Sequence, residues 1–148
     1  ARGNVIGMSI VRAPVYPDPL ADEGAQKFTY ALMPHEGAWH EGGVLDEALD
    51  LNQPLMTVEA SGLATGTLSP VGVTGTPVAF SGLKPAEEGE GLVLRLYEPA
   101  GRRGKLSLSL PSGWKASGAL NILEEPLERK GPADIMPFEI RTWKLQKG

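Results

Sequence analysis

The stretch Gly91-Leu-Val-Leu-Arg-Leu-Tyr-Glu-Pro-Ala-Gly101 decides the fold of this chain. Its central residues alternate between two faces of an extended backbone, with Leu92, Leu94, Leu96 and Glu98 on one face and Val93, Arg95 and Tyr97 on the other. A period of two predicts a β-strand, and Leu, Val and Tyr suit a half-buried pleated surface. Glu-Gly-Glu-Gly before the strand and Pro-Ala-Gly-Arg-Arg-Gly after it predict turns at both ends.

Further apolar or alternating runs predict a series of short strands, at Asn4–Arg12, Gln26–Met33, Pro54–Ala60, Pro77–Leu83, Lys105–Leu110, Trp114–Leu123 and Asp134–Leu145. Only Glu41–Leu51 has apolar residues at helical spacing, and Asn52 and Pro54 end that pattern. The 19 glycines and 13 prolines are spread along the chain, which is typical of short strands joined by frequent turns. We therefore predict an all-β fold, a β-sandwich with one short helix near residues 41–51.

Composition excludes several classes of function. The 148 residues carry 18 acidic and 14 basic side chains, mixed along the chain, and no basic patch with interleaved aromatics indicates nucleic-acid binding. No apolar run approaches the ~20 residues of a membrane-spanning helix, and the N-terminus has no signal-peptide pattern. The absence of cysteine excludes disulfides and thiolate metal sites, and it is compatible with a reducing compartment.

Histidine is scarce, and both copies lie in one segment. His35 and His40 are five residues apart around a predicted turn, in a sequence that resembles the HExxH zinc motif only loosely. A catalytic zinc usually has three protein ligands, and Gly37 disfavours the helix that would place two histidines on one face. The sequence favours two surface-loop histidines over a metal site.

Two groups of carboxylates could take part in acid–base chemistry. Asp18 and Asp22 lie in the proline-rich loop Ala13–Gly24, and a second group precedes the central strand: Glu87, Glu88 and Glu90. Glycoside hydrolysis needs two carboxyl groups roughly 5–10 Å apart, which sequence alone cannot establish. We favour hydrogen bonds from Asp18 and Asp22 to their own loop, and a solvated turn for the glutamates.

The arginines suggest one further site. Arg12 ends a predicted strand beside the rigid loop, where its guanidinium could face a ligand or a partner domain; the alternative is an ion pair with Asp18 or Asp22. Arg95 lies in the middle of the central strand and is predicted to bond a neighbouring strand. The residues alone thus describe an all-β unit without a complete catalytic set, which favours part of a larger protein or a binding module.

Four blocks of sequence, in this order, resemble the C-terminal part of glycoside hydrolase family 38 α-mannosidases of the bacterial and cytosolic type. They are Gly7–Gly24, with the sequence GMSIVRAP leading into YPDP and ADEG, then Phe28–Gly37, Leu92–Gly101 and Pro137–Leu145. The resemblance covers essentially the whole chain. It implies that residues 1–73 close a large, galactose-mutarotase-like β-sandwich and that residues 74–148 form a small terminal β-sandwich.

The family resemblance also implies an activity: retaining hydrolysis of α-mannosides in the cytoplasm. An aspartate nucleophile and a zinc ion would carry out this reaction in an N-terminal α/β catalytic domain, the expected partner of this segment. No catalytic residue, metal ligand or cofactor is expected in the segment itself, which is predicted to be inactive alone. The resemblance further implies that Arg12 reaches toward the active-site cleft and helps to hold the substrate. Asp18 and Asp22, in the loop that follows Arg12, are candidates for residues close to the substrate as well.

Two other functions stay open at this point. A carbohydrate-binding module would use exposed aromatic side chains, which Trp39, Trp114 and Trp143 could supply. A purely structural interaction domain would contact no sugar. If the first half lacks partner strands, its apolar face should either form a homo-oligomer or be covered by the second half.

Overall fold

The computed structural model describes residues 3–59, 61–62, 66, 69–128 and 134–148. The elements, in chain order, are α1 (Val44–Asn52), β1 (Gly72–Gly75), β2 (Ala79–Pro85), β3 (Leu92–Tyr97), β4 (Leu106–Ser109), β5 (Trp114–Leu120), β6 (Pro126–Leu127) and β7 (Ile140–Lys147). These elements confirm the predicted all-β class with one short helix.

The strands form two antiparallel sheets. A five-stranded sheet has the order β2-β3-β7-β5-β6, and a two-stranded sheet pairs β1 with β4. The central strand β3 pairs on one side with β2, where Leu94 lies opposite Leu83, and on the other with β7, where Leu94 lies opposite Trp143. The stretch Gly91–Gly101 therefore contains an interior strand of the larger sheet.

The core lies between the two sheets. Its buried side chains are contributed by β3, β4, β7 and one residue outside the strands: Leu94, Leu96, Leu106, Leu145 and Ile135. The face of β3 that carries Leu94 and Leu96 thus points into this core. Val93 on the opposite face is also buried, so this strand is covered on both sides, as its interior position requires.

The helix and the last strand begin later than predicted, for identifiable reasons. The helix begins at Val44 rather than Glu41 because Gly43 has the left-handed backbone conformation φ 73°, ψ 9°. The last strand begins at Ile140 rather than Asp134 because Phe138 has φ 57°, which an extended strand does not allow. Ile135 instead exchanges two backbone hydrogen bonds with Gly104, at 2.8 and 3.2 Å.

The strands predicted at residues 4–12, 26–33 and 54–59 belong to neither sheet; the last residue of the third segment, Ala60, lies outside the described residues. A strand exists only through hydrogen bonds to a neighbouring strand, and the segments have no such partner in either sheet. Their apolar side chains are exposed, with Leu32 83% and Leu55 98% accessible. The expectation that the second half covers this face is therefore wrong, and the homo-oligomer stays a prediction, as does the division at residues 73 and 74.

The part of the chain that the structure describes contains no helix with the length and apolar character needed to cross a bilayer.

Candidate functional site

The loop that carries Arg12, Asp18 and Asp22 is fixed by its own aspartates. The Asp22 carboxylate accepts the backbone N–H of Ala13 at 3.2 Å, and the Asp18 carboxylate accepts that of Leu20 at 2.9 Å. The prediction that both aspartates bond their own loop is confirmed. Arg12 is exposed, and within the described residues it forms no ion pair with either aspartate.

The two histidines do not converge. His35 contacts the Glu36 carbonyl oxygen through Nδ1 at 3.2 Å, whereas His40 lies edge-on to Trp39, with ring centroids 5.4 Å apart. Both are exposed, as the surface-loop interpretation predicts. Among the residues described, no three His, Asp or Glu side chains are grouped so that they could hold a metal ion, so a zinc ion does not fit here.

Glu98 is a buried carboxylate at the end of β3 with only 1% of its surface exposed. Its two oxygens accept the backbone N–H groups of Ala100 at 2.9 Å, Gly101 at 2.7 Å and Phe138 at 3.0 Å. The side chain therefore ties the loop after β3 to the turn before β7. Both oxygens are thus engaged by backbone donors, which gives Glu98 a structural role in joining the two segments.

The hydrogen bonds also determine the charge of Glu98. Burial by itself raises the pKa of this carboxyl group, but backbone N–H donors from Phe138, Arg102, Ala100 and Gly101 together outweigh burial and hold the pKa below its ordinary value. Glu98 is consequently ionised at neutral pH although it is buried.

A second carboxylate organises the turn before β7. Glu139 accepts hydrogen bonds from Arg141 at 2.9 and 3.1 Å and from the Met136 backbone N–H at 2.7 Å. Arg141 also donates to the Asp134 carbonyl oxygen at 2.8 Å and lies 5.9 Å from the centre of the Trp143 ring. These contacts fix the turn that supplies the Phe138 N–H to Glu98.

The remaining charged residues near β3 are structural. Arg95 donates to the Thr142 hydroxyl on β7 at 3.1 Å, which confirms its predicted bond to a neighbouring strand. Lys84 contacts Glu87 and Glu124, each at 2.6 Å, and the hydrogen bond to Glu124 is the main cause that raises the Lys84 pKa. The acidic group that precedes β3 lies in an exposed turn, as the sequence predicts: Glu87, Glu88 and Glu90.

A cleft of about 250 Å³ lies between helix α1 and the edge of β2. Its walls include two half-exposed aromatic rings, Trp39 at 45% and Phe80 at 50%, and three polar side chains, His40, Asp46 and Arg102. The loop that Glu98 holds supplies Pro99, Ala100 and Arg102 to this cleft. Of the three tryptophans, Trp114 and Trp143 are packed against the core, which leaves Trp39 as the ring on an accessible cleft.

Sequence reasoning did not find this cleft. Its aromatic residues are 41 positions apart, and neither lies in a local pattern that distinguishes it from a core residue. One local pattern pointed toward the cleft: turn-forming residues surround Trp39, which predicts a loop there rather than a helix or strand.

Comparison with known proteins identifies relatives over most of the chain. Residues 77–143 match the glycosyl hydrolases family 38 C-terminal beta sandwich domain. Alpha-mannosidase 2C1 of Homo sapiens is 41% identical over 150 residues, which cover 97% of this chain and 14% of the relative. Alpha-mannosidase 2C1 of Mus musculus is 46% identical over 68% of this chain and 10% of the relative, and alpha-mannosidase G of Dictyostelium discoideum is 30% identical over 97% and 14%.

The chain thus spans only 10 to 14% of the length of the curated relatives that it matches. No solved structure matches it significantly.

Proposed function

The chain belongs to glycosyl hydrolase family 38, whose C-terminal β-sandwich domain it carries at residues 77–143, and we propose that it is the non-catalytic C-terminal part of an α-mannosidase. The observation that carries this proposal is the identity of 41% along 97% of the chain to a protein named as an α-mannosidase. The proposed role is to support the catalytic domain and to line part of its substrate cleft.

The chemistry of the described residues supports a non-catalytic role. The most buried carboxylate, Glu98, is occupied by backbone donors, and Asp18 and Asp22 each accept a loop N–H. A zinc ion and an aspartate nucleophile would accordingly be held by the N-terminal α/β catalytic domain. We also propose a cytoplasmic location, with which the absence of cysteine in the 148 residues is compatible.

The exposed apolar segments support a large protein partner. One segment carries three alternating apolar side chains that are 46, 68 and 83% exposed: Phe28, Tyr30 and Leu32. Leaving this much apolar surface in water costs free energy. Strands from another part of the same enzyme would pair with this segment and bury its apolar face. The intervening Thr29 would point away from that interface.

The activity is tested by assaying the complete protein that contains this chain with 4-nitrophenyl α-D-mannopyranoside, with the corresponding α-glucoside as the control. We expect hydrolysis of the mannoside by the complete protein and none by residues 1–148 alone. Hydrolysis by residues 1–148 would contradict the non-catalytic role, and a complete protein without activity on mannosides would contradict the assignment as an α-mannosidase.

The support role is tested by Leu32→Lys in the complete protein, with Thr29→Lys as the matched control on the opposite face. Leu32→Lys should lower the yield of folded enzyme and its thermal midpoint because it places a charge in the buried interface. Thr29→Lys should resemble the unsubstituted enzyme. Equal behaviour of the two variants would contradict the proposed interface.

A further inference from the structure

We propose that the cleft between α1 and β2 is a non-catalytic binding site for a single hexose ring. This inference uses the chemistry of the cleft and not the family, so it holds or fails separately from the assignment as an α-mannosidase. Only the choice of a mannoside as the first probe rests on the proposed function.

The cleft presents apolar surface that the fold does not use. Trp39 and Phe80 are half exposed although both line a concave site, and neither belongs to the core. The His40 ring meets Trp39 at an interplanar angle of 84°, an edge-to-face contact that orients the indole. An oriented, half-exposed indole offers a flat surface for the C–H face of a sugar ring.

The polar side chains of the cleft are available to a ligand. Asp46 and Arg102 line it, and within the described residues neither side chain has a hydrogen bond or an ion pair. A carboxylate accepts hydrogen bonds and a guanidinium donates them. Sugar hydroxyls do both, so a sugar in the cleft can bond either side chain.

The balance of charge selects a neutral ligand. Arg102 alone would favour an anion such as a phosphate, but the Asp46 carboxylate in the same cleft opposes one by repulsion. A neutral polyol carries no charge for Asp46 to repel. The volume of about 250 Å³ is just below the ~300–1,000 Å³ of sites for drug-sized ligands, which indicates one small ring rather than a long chain.

The position of Arg102 is set by the fold. Glu98 holds the backbone N–H groups of Ala100, Gly101 and Arg102, so the loop is fixed before a ligand binds. A fixed loop loses less entropy when a ligand binds than a mobile one, so this side of the cleft is prepared for a ligand. The buried carboxylate thus acts as a positioning residue for the cleft.

The test is calorimetric titration of the complete protein with methyl 1-thio-α-D-mannopyranoside, a sulfur-linked mannoside that resists hydrolysis. Besides binding at the catalytic site, we expect a second binding event that Trp39→Ala and Asp46→Asn each weaken by at least about tenfold. The same variants should keep kcat/KM for 4-nitrophenyl α-D-mannopyranoside. Asp50→Asn, on the same helix but outside the cleft, is the matched control and should leave the titration unchanged.

Two results would overturn the hexose site: no binding event that responds to Trp39→Ala or Asp46→Asn, or an equal effect of Asp50→Asn. The nearly isosteric Asp46→Asn keeps the test valid if Trp39→Ala lowers the yield of folded protein. Repeating the titration with the thioglucoside and the thiogalactoside tests the site even in a protein without mannosidase activity. Failure of the site and failure of the proposed function are therefore distinguishable.

Discussion

The Glu98 carboxylate accepts the backbone N–H of Phe138 at 3.0 Å across 40 residues of sequence. Phe138 has φ 57°, a left-handed conformation that costs roughly 1–2 kcal/mol for a residue with a side chain. The hydrogen bond to a buried, ionised acceptor helps to hold that conformation. One carboxylate consequently fixes both the loop after β3 and the turn that leads into β7.

The first prediction is that Glu98→Gln loosens both segments. An amide carries one acceptor oxygen where the carboxylate has two, and its NH₂ group faces donors, so we expect a loss of about 2 kcal/mol in the local free energy of opening. Hydrogen exchange measured by mass spectrometry should show faster exchange at Ala100, Gly101 and Phe138. Glu90→Gln, at an exposed carboxylate, is the control, and equal protection in the two variants would contradict the role of Glu98.

The second prediction concerns pH. The folded pKa of Glu98 is below its ordinary value of 4.5, so the unfolded state binds more protons than the folded state in the range between the two pKa values. The stabilisation is fully present above about pH 4.5 and is lost as pH falls through the folded pKa. Protection of Ala100 and Gly101 should decrease on acidification below pH 4.5, after correction for intrinsic exchange, and it should decrease less in Glu98→Gln. An identical pH profile in the variant would show that another group is responsible.

The strand β3 and its hydrogen bond to the turn before β7 illustrate which features the sequence alone can predict. The alternation of Leu92, Leu94 and Leu96 is a local pattern, and it correctly predicted the strand β3. One partner of Glu98, the Phe138 N–H, is 40 residues away, and no local pattern indicates a hydrogen bond between residues 98 and 138. The cleft has the same property, because Trp39 and Phe80 are far apart in sequence and line one cleft only in the folded chain.

The predicted strands of the first half failed for a different physical reason. Segments such as 26–33 have the correct alternation, but alternation indicates only that a face can be buried, and a strand also needs a neighbour with which to exchange hydrogen bonds. In the described residues that neighbour is absent from both sheets. The bond of Asp18 was predicted correctly because an aspartate readily bonds a backbone group two residues further on, here Leu20. Asp22 bonds Ala13, nine residues away in the same loop.

The third prediction tests the entry into β3. Gly91 has φ 115°, and a Cβ atom there would lie 2.5 Å from the Leu145 carbonyl oxygen. Gly91→Ala should cost more than about 2 kcal/mol of stability, because it combines backbone strain with a contact to main chain that cannot rotate away. Gly118→Ala is the matched control, since a Cβ atom at that position meets nothing within 4 Å. Thermal unfolding should separate the two, and similar midpoints would show that the entry to β3 tolerates a side chain.

The fourth prediction concerns Arg12 as a residue close to the substrate. Asp22 accepts the N–H of Ala13 at 3.2 Å, which fixes the backbone directly after Arg12 and leaves its guanidinium exposed. If this group donates hydrogen bonds to a mannoside in the complete enzyme, Arg12→Ala should lower kcat/KM for 4-nitrophenyl α-D-mannopyranoside by about tenfold or more. Asp22→Asn, which weakens the support of the loop without removing the guanidinium, should have a smaller effect. Lys27→Ala, at another exposed cation, is the control, and an unchanged kcat/KM in Arg12→Ala would remove Arg12 from the substrate site.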